Sequence, residues 1–374
     1  MMNFTGLLIR SRLLPPVGLL FLFLLLSTSV VHGIEIIKEP KPTHVETHFR
    51  KLVKVKEIPL DLSDTIFMAK AEYMTVDESG HLFVYDGIIK KIFKFDKDGS
   101  FLFAFGNKGN GPAEFGSDNS NDPIHFSKAG YLYAGERQNN KIIKFDSKGC
   151  YIEDIKLPYR PKADGVLKAC VDGNENYFVL SGKSNGIDVF NKELKYQYSL
   201  LGKKEYDSTL IRHIGHNFAT VMTWTIPDAL NTYYDCIPGN QLVVYLANTS
   251  TVYIYEKSKL VRKFQVLPKL RLEIHLKAIE KRFKNLRRDE LLIMYMFYDF
   301  FIDKDNHRFI YLRGGKKDGS FLTYQFDLKG NLVKVLCAPR LIRFKAKKSG
   351  LFYGIRDGNI HIYKEEVFNE KKEF

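Results

Sequence analysis

The chain has 374 residues, of which 45% are hydrophobic and 27% charged, a globular composition that excludes a disordered or fibrous protein. The formal net charge is +14, but the excess is mostly lysine scattered through polar turns, so we predict no nucleic-acid binding. Aromatic residues reach 14%, with 29 Phe and 21 Tyr, which favours β-strands because flat rings pack well on a pleated surface.

Residues 1–33 have the layout of a secretory signal peptide. Arg10 and Arg12 precede an apolar run that ends in small residues, with a cleavage candidate at 31–33. The run is also about as long as one membrane-spanning helix requires, so an uncleaved anchor is the alternative. Either outcome predicts an exported chain, periplasmic or secreted, in which a linker at 34–50 leads to the folded domain.

The four cysteines are widely spaced and contain no C-x-x-C pair, which excludes a zinc ribbon. An exported chain permits disulfides, but four cysteines are too few for a disulfide scaffold of this length. One or two bridges and isolated buried thiols are therefore both open for Cys150, Cys170, Cys236 and Cys337.

Six segments of the chain repeat one pattern: a turn, an alternating strand, a second turn, and an alternating strand that ends in Phe or Tyr. From the first turn residue to the closing aromatic residue the separations are 15, 15, 15, 15, 20 and 13. The pairs are Gly80 and Phe95, Gly130 and Phe145, Glu175 and Phe190, Asn240 and Tyr255, Asn306 and Phe326, and Gly350 and Tyr363. The unit recurs after 50, 45, 65, 66 and 44 residues, close to the length of a four-stranded propeller blade.

The sequence therefore predicts an all-β fold, a six-bladed β-propeller at 51–368 followed by a charged tail at 369–374. The sixth unit has three strands only, whereas residues 48–61 alternate between apolar and polar like a lone strand. We expect this N-terminal strand to complete the sixth blade and close the ring, since closure removes an open sheet edge.

Two long connections interrupt the period. Residues 203–235, between units three and four, are rich in aromatic side chains. Between units four and five, an amphipathic helical insertion is predicted at about 270–290, with one apolar face and many basic residues. Its apolar face either packs on the propeller with the charges in solvent, or the helix docks on an anionic membrane surface or an acidic partner.

The glycine-rich segment GNKGNGPAEF follows the fourth strand of the first unit. Its spacing fits neither a P-loop nor a dinucleotide fingerprint, and no helix follows it, so phosphate binding is not expected. We interpret it as a structural connector between blades in which glycines supply positive φ angles and the aromatic residue packs between blades. Its members are Gly106, Gly109, Gly111, Pro112, Glu114 and Phe115.

This connector and the unit after it resemble an NHL repeat. The matching residues are Phe105-Gly106, Gly109, Gly111-Pro112, Glu114-Phe115, Pro123, Gly130, Asn140-Lys141-Ile142, Phe145-Asp146 and Gly149. The whole mature chain resembles the exported bacterial six-bladed β-propeller proteins related to NHL domains. The resemblance implies a six-bladed ring and, for most relatives, an interaction role without established chemistry.

Metal-dependent enzymes with a propeller fold bind their metal at the mouth of the central channel. Candidate site residues in this chain are therefore those that could bind a metal there. Histidine is a common metal ligand, and the candidates are His125, His213 and His216. Trp224, Tyr233 and Tyr234 are either binding anchors or members of blade strands. The Asp-rich turns at 96–100 and 303–307 lack the twelfth-position glutamate of a calcium loop, and we interpret them as blade turns.

We predict a non-catalytic binding or scaffold propeller of the cell envelope, a monomer without cofactor that holds a protein, peptide or glycan on its loop faces. The alternative is a metal-dependent hydrolase or lyase, of the lactonase, esterase or amidating-lyase kind, with its site in the central channel. Only that alternative requires calcium or zinc. The chain contains no G-x-S-x-G elbow that would indicate a serine nucleophile.

Overall fold

The computed structural model describes residues 34–36, 49–63, 65–116, 124–136, 138–158, 169–180, 186–201, 232–246, 251–266, 297–315, 321–338 and 342–367. The chain divides into two compact units, Met1–Glu35 and Ile36–Phe374, and all six blades belong to the second. Across the described residues the regular structure is entirely β, so the all-β prediction is confirmed.

The prediction of six blades is confirmed, and each blade contains four neighbouring antiparallel strands. Strands β1 to β4 span Ile34–Ile36, Phe49–Ile58, Asp61–Ser63 and Ile66–Phe67. Blade 1 contains β5 Ala71–Val76, β6 Leu82–Asp86, β7 Lys91–Phe95 and β8 Phe101–Phe105. Strands β9 Asn107–Lys108 and β10 Glu114–Phe115 follow. Blade 2 contains β11 Ile124–Phe126, β12 Tyr131–Glu136, β13 Lys141–Asp146 and β14 Tyr151–Lys156.

The remaining blades repeat this order. Blade 3 contains β15 Ala169–Val171, β16 Tyr177–Leu180, β17 Ile187–Phe190 and β18 Tyr196–Leu200. Blade 4 contains β19 Thr232–Ile237, β20 Gln241–Leu246, β21 Thr251–Glu256 and β22 Lys259–Gln265. Blade 5 contains β23 Phe297–Ile302, β24 Phe309–Gly315, β25 Phe321–Asp327 and β26 Leu332–Ala338. Blade 6 contains β27 Arg343–Lys348, β28 Leu351–Arg356, β29 Asn359–Val367 and, as its fourth strand, β2.

A β-bulge at the closing aromatic residue marks every blade. In blades 1 to 5 the register between the third and fourth strands shifts at that residue, for example between Lys94 and Phe95 in blade 1. In blade 6 the shift lies on β2 between Lys54 and Lys56, opposite Tyr363. A bulge increases the local twist of a strand pair, so the repeated aromatic position corresponds to a repeated bend at the outer edge.

The N-terminal strand closes the ring as predicted. From Arg50 to Ile58, β2 pairs antiparallel with β29, and its first three residues pair parallel with β26 of blade 5. Inside the ring, the first strands contact one another in a closed cycle: β5, β11, β15, β19, β23, β27 and β5 again. The two ends of the described propeller are therefore held together by backbone hydrogen bonds.

The hydrophobic core consists of clusters between neighbouring blades, and one cluster occupies each of the six interfaces. Between blades 1 and 2, the rings of Phe83 and Phe126 stack with centroids 5.3 Å apart. The middle strands are buried on both faces because each blade has a neighbour on either side, as in β6, where Leu82 to Tyr85 are all buried. The ring is thus a stack of sheets rather than one central core.

Two of the four cysteines form a disulfide. Cys170 on β15 and Cys236 on β19 form a disulfide between blades 3 and 4, with their Cα atoms 6.1 Å apart. Cys150 carries an exposed thiol, and Cys337 is not part of this bridge.

Several predicted segments lie outside the described residues: the signal or anchor at 1–33, the helical insertion at about 270–290 and the tail at 369–374. Among the residues that are described, no helix is long and apolar enough to cross a membrane.

Candidate functional site

A cavity of about 150 Å³ lies at the mouth of the central channel. Because strands alternate in direction within a blade, the first turns of all blades emerge at the same end of the ring, and blades 1 to 5 each contribute residues to this cavity. We call it the channel-mouth cavity; its polar lining includes Asp77, His125, Lys128, Asp172, Lys304 and His307.

Two of the lining carboxylates are held by their own turns. The Asp77 Oδ1 atom accepts hydrogen bonds from the backbone N–H groups of Ser79 and His81, at 2.9 and 2.8 Å. Asp172 accepts two such bonds from Asn174 and Asn176, both at 2.9 Å. This is the local turn-forming chemistry of aspartate. These carboxylates therefore fix the shape of the mouth.

The same turn appears where the sequence contains Asp-rich stretches. The Asp96 Oδ1 atom accepts from Ser100 N and Asp98 N at 2.7 and 2.9 Å, and these bonds outweigh the opposing effect of burial and leave the pKa of Asp96 below its usual value. Asp303 Oδ1 accepts from Asp305 N at 2.9 Å, while its Oδ2 lies 2.8 Å from Lys347 Nζ. In both stretches the Oδ1 atom of the first aspartate thus accepts from the backbone of its own turn.

His125, which is part of the cavity lining, lies against Asp235. His125 is on β11 of blade 2, and its Nδ1 atom lies 3.4 Å from Asp235 Oδ1 on β19 of blade 4. The other ring nitrogen, Nε2, lies 3.2 Å from the backbone oxygen of Val171 on β15. Three consecutive blades therefore fix the orientation of this imidazole.

Lys304 completes an ion pair with Asp235. The Lys304 Nζ atom lies 2.6 Å from Asp235 Oδ2, and both side chains are largely buried. Burial raises the pKa of the Asp235 carboxyl, but the charges of Lys304 and His125 outweigh this effect and leave the pKa below its usual value. Asp235 is therefore an ionised carboxylate at neutral pH.

His307 lies in the turn that follows β23. Its backbone has a φ of +54°, and its N–H donates to the Asp303 carbonyl at 2.9 Å. Burial, together with the positive charge of Lys304, lowers the pKa of His307 to about 4. The imidazole that lines the cavity is therefore neutral at physiological pH.

Cys170 places sulfur next to this polar cluster. One ligand atom from each of His125, Cys170 and Asp235 lies within 4.8 Å of the other two. In the structure the Cys170 sulfur is bonded to Cys236, and Cys236 also lines the channel-mouth cavity. The cluster thus combines a nitrogen, an oxygen and one sulfur, and Cys236 is bonded to that sulfur.

The predicted site residues have different surroundings. His125 lies at the channel mouth, as described above. Tyr234 is buried between blades, where its hydroxyl accepts from Leu180 N at 3.1 Å. The Tyr233 ring stacks on Tyr245 with centroids 6.1 Å apart and is tilted against Phe300 with centroids 6.4 Å apart. Both tyrosines belong to β19. His213, His216 and Trp224 lie outside the described residues.

Asp235, Lys304, His307 and Cys170 were not among the predicted site residues. The repeat contains a signal that identifies two of them. His125, Cys170 and Asp235 each stand five positions before the first turn residue of their unit, which is Gly130, Glu175 and Asn240. Equivalent positions on neighbouring inner strands lie at one level of the channel, so alignment of the units brings the three together.

The glycine-rich connector packs against blades 1 and 2. Gly106 has a φ of +77°, a region that favours glycine. At Gly109, by contrast, a Cβ atom would lie 2.0 Å from Glu114 Oε2, so here the absence of a side chain gives room to a carboxylate. That carboxylate accepts from Gly111 N at 2.8 Å, and Phe115 is fully buried against Tyr85.

Comparisons with known proteins agree with this architecture. The family DUF5128, described as a 6-bladed beta-propeller, has a model that matches residues 28–269. No curated protein matches the sequence.

Solved structures give further likenesses. An exported protein of Bacteroides fragilis is 12% identical, with 90% of this chain and 100% of that chain covered and a TM-score of 0.53. A DUF4221 member from Bacteroides vulgatus is 10% identical, with 86% of this chain and 99% of that chain covered and a TM-score of 0.49. The virginiamycin B lyase of Staphylococcus aureus is 13% identical, with 86% of this chain and 90% of that chain covered and a TM-score of 0.47. At such identities the likeness concerns the fold alone.

Proposed function

Because the chain belongs to the DUF5128 family of six-bladed β-propellers, we propose that it is an exported, non-catalytic binding protein of the cell envelope. It holds a protein, peptide or glycan on the face of the ring where the first turns of the blades emerge. One polar group of that partner enters the channel-mouth cavity. The propeller acts as a monomer and needs no cofactor for this role.

Export of the chain is supported by the sequence and by one similar structure. Residues 1–33 combine a basic start, an apolar run and a small-residue end. The Bacteroides fragilis protein with a similar fold is itself described as exported. We propose a periplasmic or secreted location, with the basic segment at 270–290 as a contact for an anionic membrane surface.

The observation that carries the binding proposal is the channel-mouth cavity. Small-molecule sites in proteins usually have volumes of about 300–1,000 Å³, whereas this cavity has about 150 Å³. It therefore suits a single side chain or sugar substituent of a larger partner better than a whole substrate. Its lining combines apolar residues such as Val76 and Ile237 with the polar groups of Lys304 and His307.

The construction of the mouth also favours binding. The turns that surround the cavity are braced by aspartate hydrogen bonds, as at Asp77 and Asp172. The inner strands beneath them form a closed cycle. A partner that binds such a surface loses little free energy to ordering of the protein, so a modest contact area suffices.

Site-specific photocrosslinking in intact cells that export the full chain tests this proposal. One variant carries the photoreactive residue at position 128, where the exposed Lys128 lines the cavity. The matched control carries it at position 88, because Ile88 is also exposed but lies in the second turn of blade 1, at the other end of the ring. Mass spectrometry then identifies each crosslinked species.

We expect one defined envelope component to crosslink from position 128 and not from position 88. Its purified form should then bind the purified propeller directly. Crosslinks of equal yield from both positions, or none from position 128, would count against a partner at the channel mouth.

A second candidate function is favoured by the convergence of His125, Asp235 and Lys304. A metal-dependent hydrolase or lyase would need a bound calcium or zinc ion in the channel together with a group that activates water. The proposed ligands His213 and His216 lie outside the described residues. The metal content of the mature domain, 34–374, with its intact disulfide, separates the two functions.

The enzyme requires one metal ion per chain, and a chelator that removes it should lower the melting temperature. A protein without metal whose melting temperature is indifferent to chelator supports the binding function instead.

A further inference from the structure

His125 Nδ1 and Asp235 Oδ1 face each other. The Val171 carbonyl oxygen only accepts hydrogen bonds, so the His125 nitrogen near it, Nε2, carries a proton. The other nitrogen, Nδ1, lies 3.4 Å from Asp235 Oδ1. A proton between these two atoms makes an ion pair, and a metal cation in its place would be bound by both.

The surroundings of these atoms are those of metal ligands. A histidine that binds a metal usually donates its other N–H to a carbonyl or carboxylate, which fixes the ring. The Val171 carbonyl has this relationship to His125, and Lys304 Nζ holds the second oxygen of Asp235 at 2.6 Å. Two ligand atoms about 2.1 Å from a tetrahedral Zn²⁺ would be about 3.4 Å apart, and the observed separation is 3.4 Å.

Two sulfur atoms are available to complete the set. Cys170 Sγ lies within 4.8 Å of the His125 and Asp235 ligand atoms, and Cys236 is its disulfide partner. The Cα atoms of the two cysteines are 6.1 Å apart, a separation that a disulfide spans. Two thiolates on Zn²⁺ would stand about 3.8 Å apart at their sulfurs, which is longer than a disulfide bond, so the metal and the disulfide cannot hold the two sulfurs at the same time.

We propose that His125, Asp235, Cys170 and Cys236 form a redox-controlled zinc site at the channel mouth, in which the disulfide and the metal exclude each other. This inference stands apart from the proposed binding function. A set of two thiolates, one imidazole and one carboxylate suits Zn²⁺ by ligand chemistry.

The exchange of the disulfide for zinc requires a reductant. A small dithiol reductant gives two electrons and two protons to the disulfide and is itself oxidised to its own disulfide, which leaves two thiols on the protein. Binding of one Zn²⁺ converts these thiols to thiolates and releases their two protons to solvent. Access is through the cavity, since Cys236 forms part of its lining.

The test compares the purified mature protein in two states, with its disulfide intact and after reduction by a phosphine that is then removed under anaerobic conditions. Each sample is dialysed against Zn²⁺ and analysed for metal, and Co²⁺ is used in parallel because a thiolate-to-cobalt charge-transfer band reports sulfur ligands. We expect one Zn²⁺ per chain and the cobalt band in the reduced protein, and neither in the oxidised protein.

His125→Gln should weaken zinc binding by the reduced protein at least about 10-fold. Cys150→Ser is the matched control, because it removes an exposed thiol outside the cluster and should leave zinc binding unchanged. The histidine variant keeps the test valid if cysteine variants fold poorly. Equal zinc binding in both redox states, no binding after reduction, or full affinity in His125→Gln would each overturn the proposal.

Discussion

The Nδ1 atom of His125 on blade 2 lies 3.4 Å from Oδ1 of Asp235 on blade 4, and both residues stand five positions before the first turn residue of their blade. Blade 3 lies between these two blades, and its Val171 carbonyl oxygen lies 3.2 Å from His125 Nε2. Residues far apart in the chain thus meet because the repeat places them at one level of the ring. The position of the candidate site is a consequence of the blade register.

Closure by the N-terminal strand is predicted to stabilise the whole ring. Leu52 and Ile58 on β2 are almost fully buried, at 3% and 1% exposure. Each substitution by alanine should lower the free energy of unfolding by about 2–4 kcal/mol, since it leaves a cavity in a packed interface. Denaturant titration measures the change, and Val55→Ala on the same strand, where Val55 is 47% exposed, should cost below about 0.5 kcal/mol. Equal effects at buried and exposed positions would contradict closure.

The connector glycine at position 106 is predicted to be more sensitive than a glycine of similar backbone conformation. Gly106→Ala should cost about 2–3 kcal/mol of stability, because the left-handed φ of +77° combines with a contact of 2.8 Å between the new Cβ and Phe115. Gly130→Ala, at φ +84° with open space, should cost only about 1 kcal/mol. Thermal melts of the two variants give the difference. The same cost at both positions would mean that the Phe115 contact adds nothing.

The inter-blade disulfide is predicted to stabilise the oxidised protein. Cys170 and Cys236 are 66 residues apart in the chain, so their bond restricts a long loop of the unfolded state. The double variant Cys170→Ala with Cys236→Ala should lose about 2–4 kcal/mol by denaturant titration, whereas Cys150→Ala should change little. Peptide mapping without reductant should find this one pairing; a bond between Cys150 and another cysteine would refute the assignment.

Stability is predicted to fall in acid through His307. The pKa of His307 is about 4 in the folded protein, against an ordinary value of 6.5. Burial is the main cause, and the charged groups around the ring are those of Lys304, Asp235, Lys128 and Glu78. The unfolded state therefore takes up a proton first, and stability present above pH 6.5 is lost as the pH falls towards 4. The free energy of unfolding should fall by about 2 kcal/mol. This is the value that the pKa difference implies, reduced because the group is partly exposed to solvent.

The control for this titration is His307→Asn, because asparagine tolerates the φ of +54° at this position and does not titrate. Its stability curve should be flatter than that of the wild type between pH 6.5 and 4. Parallel curves for the two proteins would assign the acid sensitivity to other groups.

Much of the fold follows from the sequence, and the site follows only in part. Alternation of apolar residues and the recurrence of a closing aromatic predict the six blades, and the lone strand at 48–61 predicts closure. His125 is the one predicted site histidine among the described residues. Asp235, Lys304 and His307 escape a motif search because Asp235 comes from the inner strand of blade 4 and the other two come from the first turn of blade 5, and only the register of the whole ring brings them together.

The most direct test of the proposed function is the affinity of the crosslinked partner for variants of the two ends of the ring. Gly173→Trp would fill the channel-mouth cavity without disturbing the fold, since a Cβ at this lining position meets nothing within 4 Å. Ile88→Trp is the control at the other end. By calorimetry we expect Gly173→Trp to weaken binding at least about 10-fold and Ile88→Trp to leave it unchanged. Full affinity in Gly173→Trp, or loss in Ile88→Trp, would contradict binding at the channel mouth.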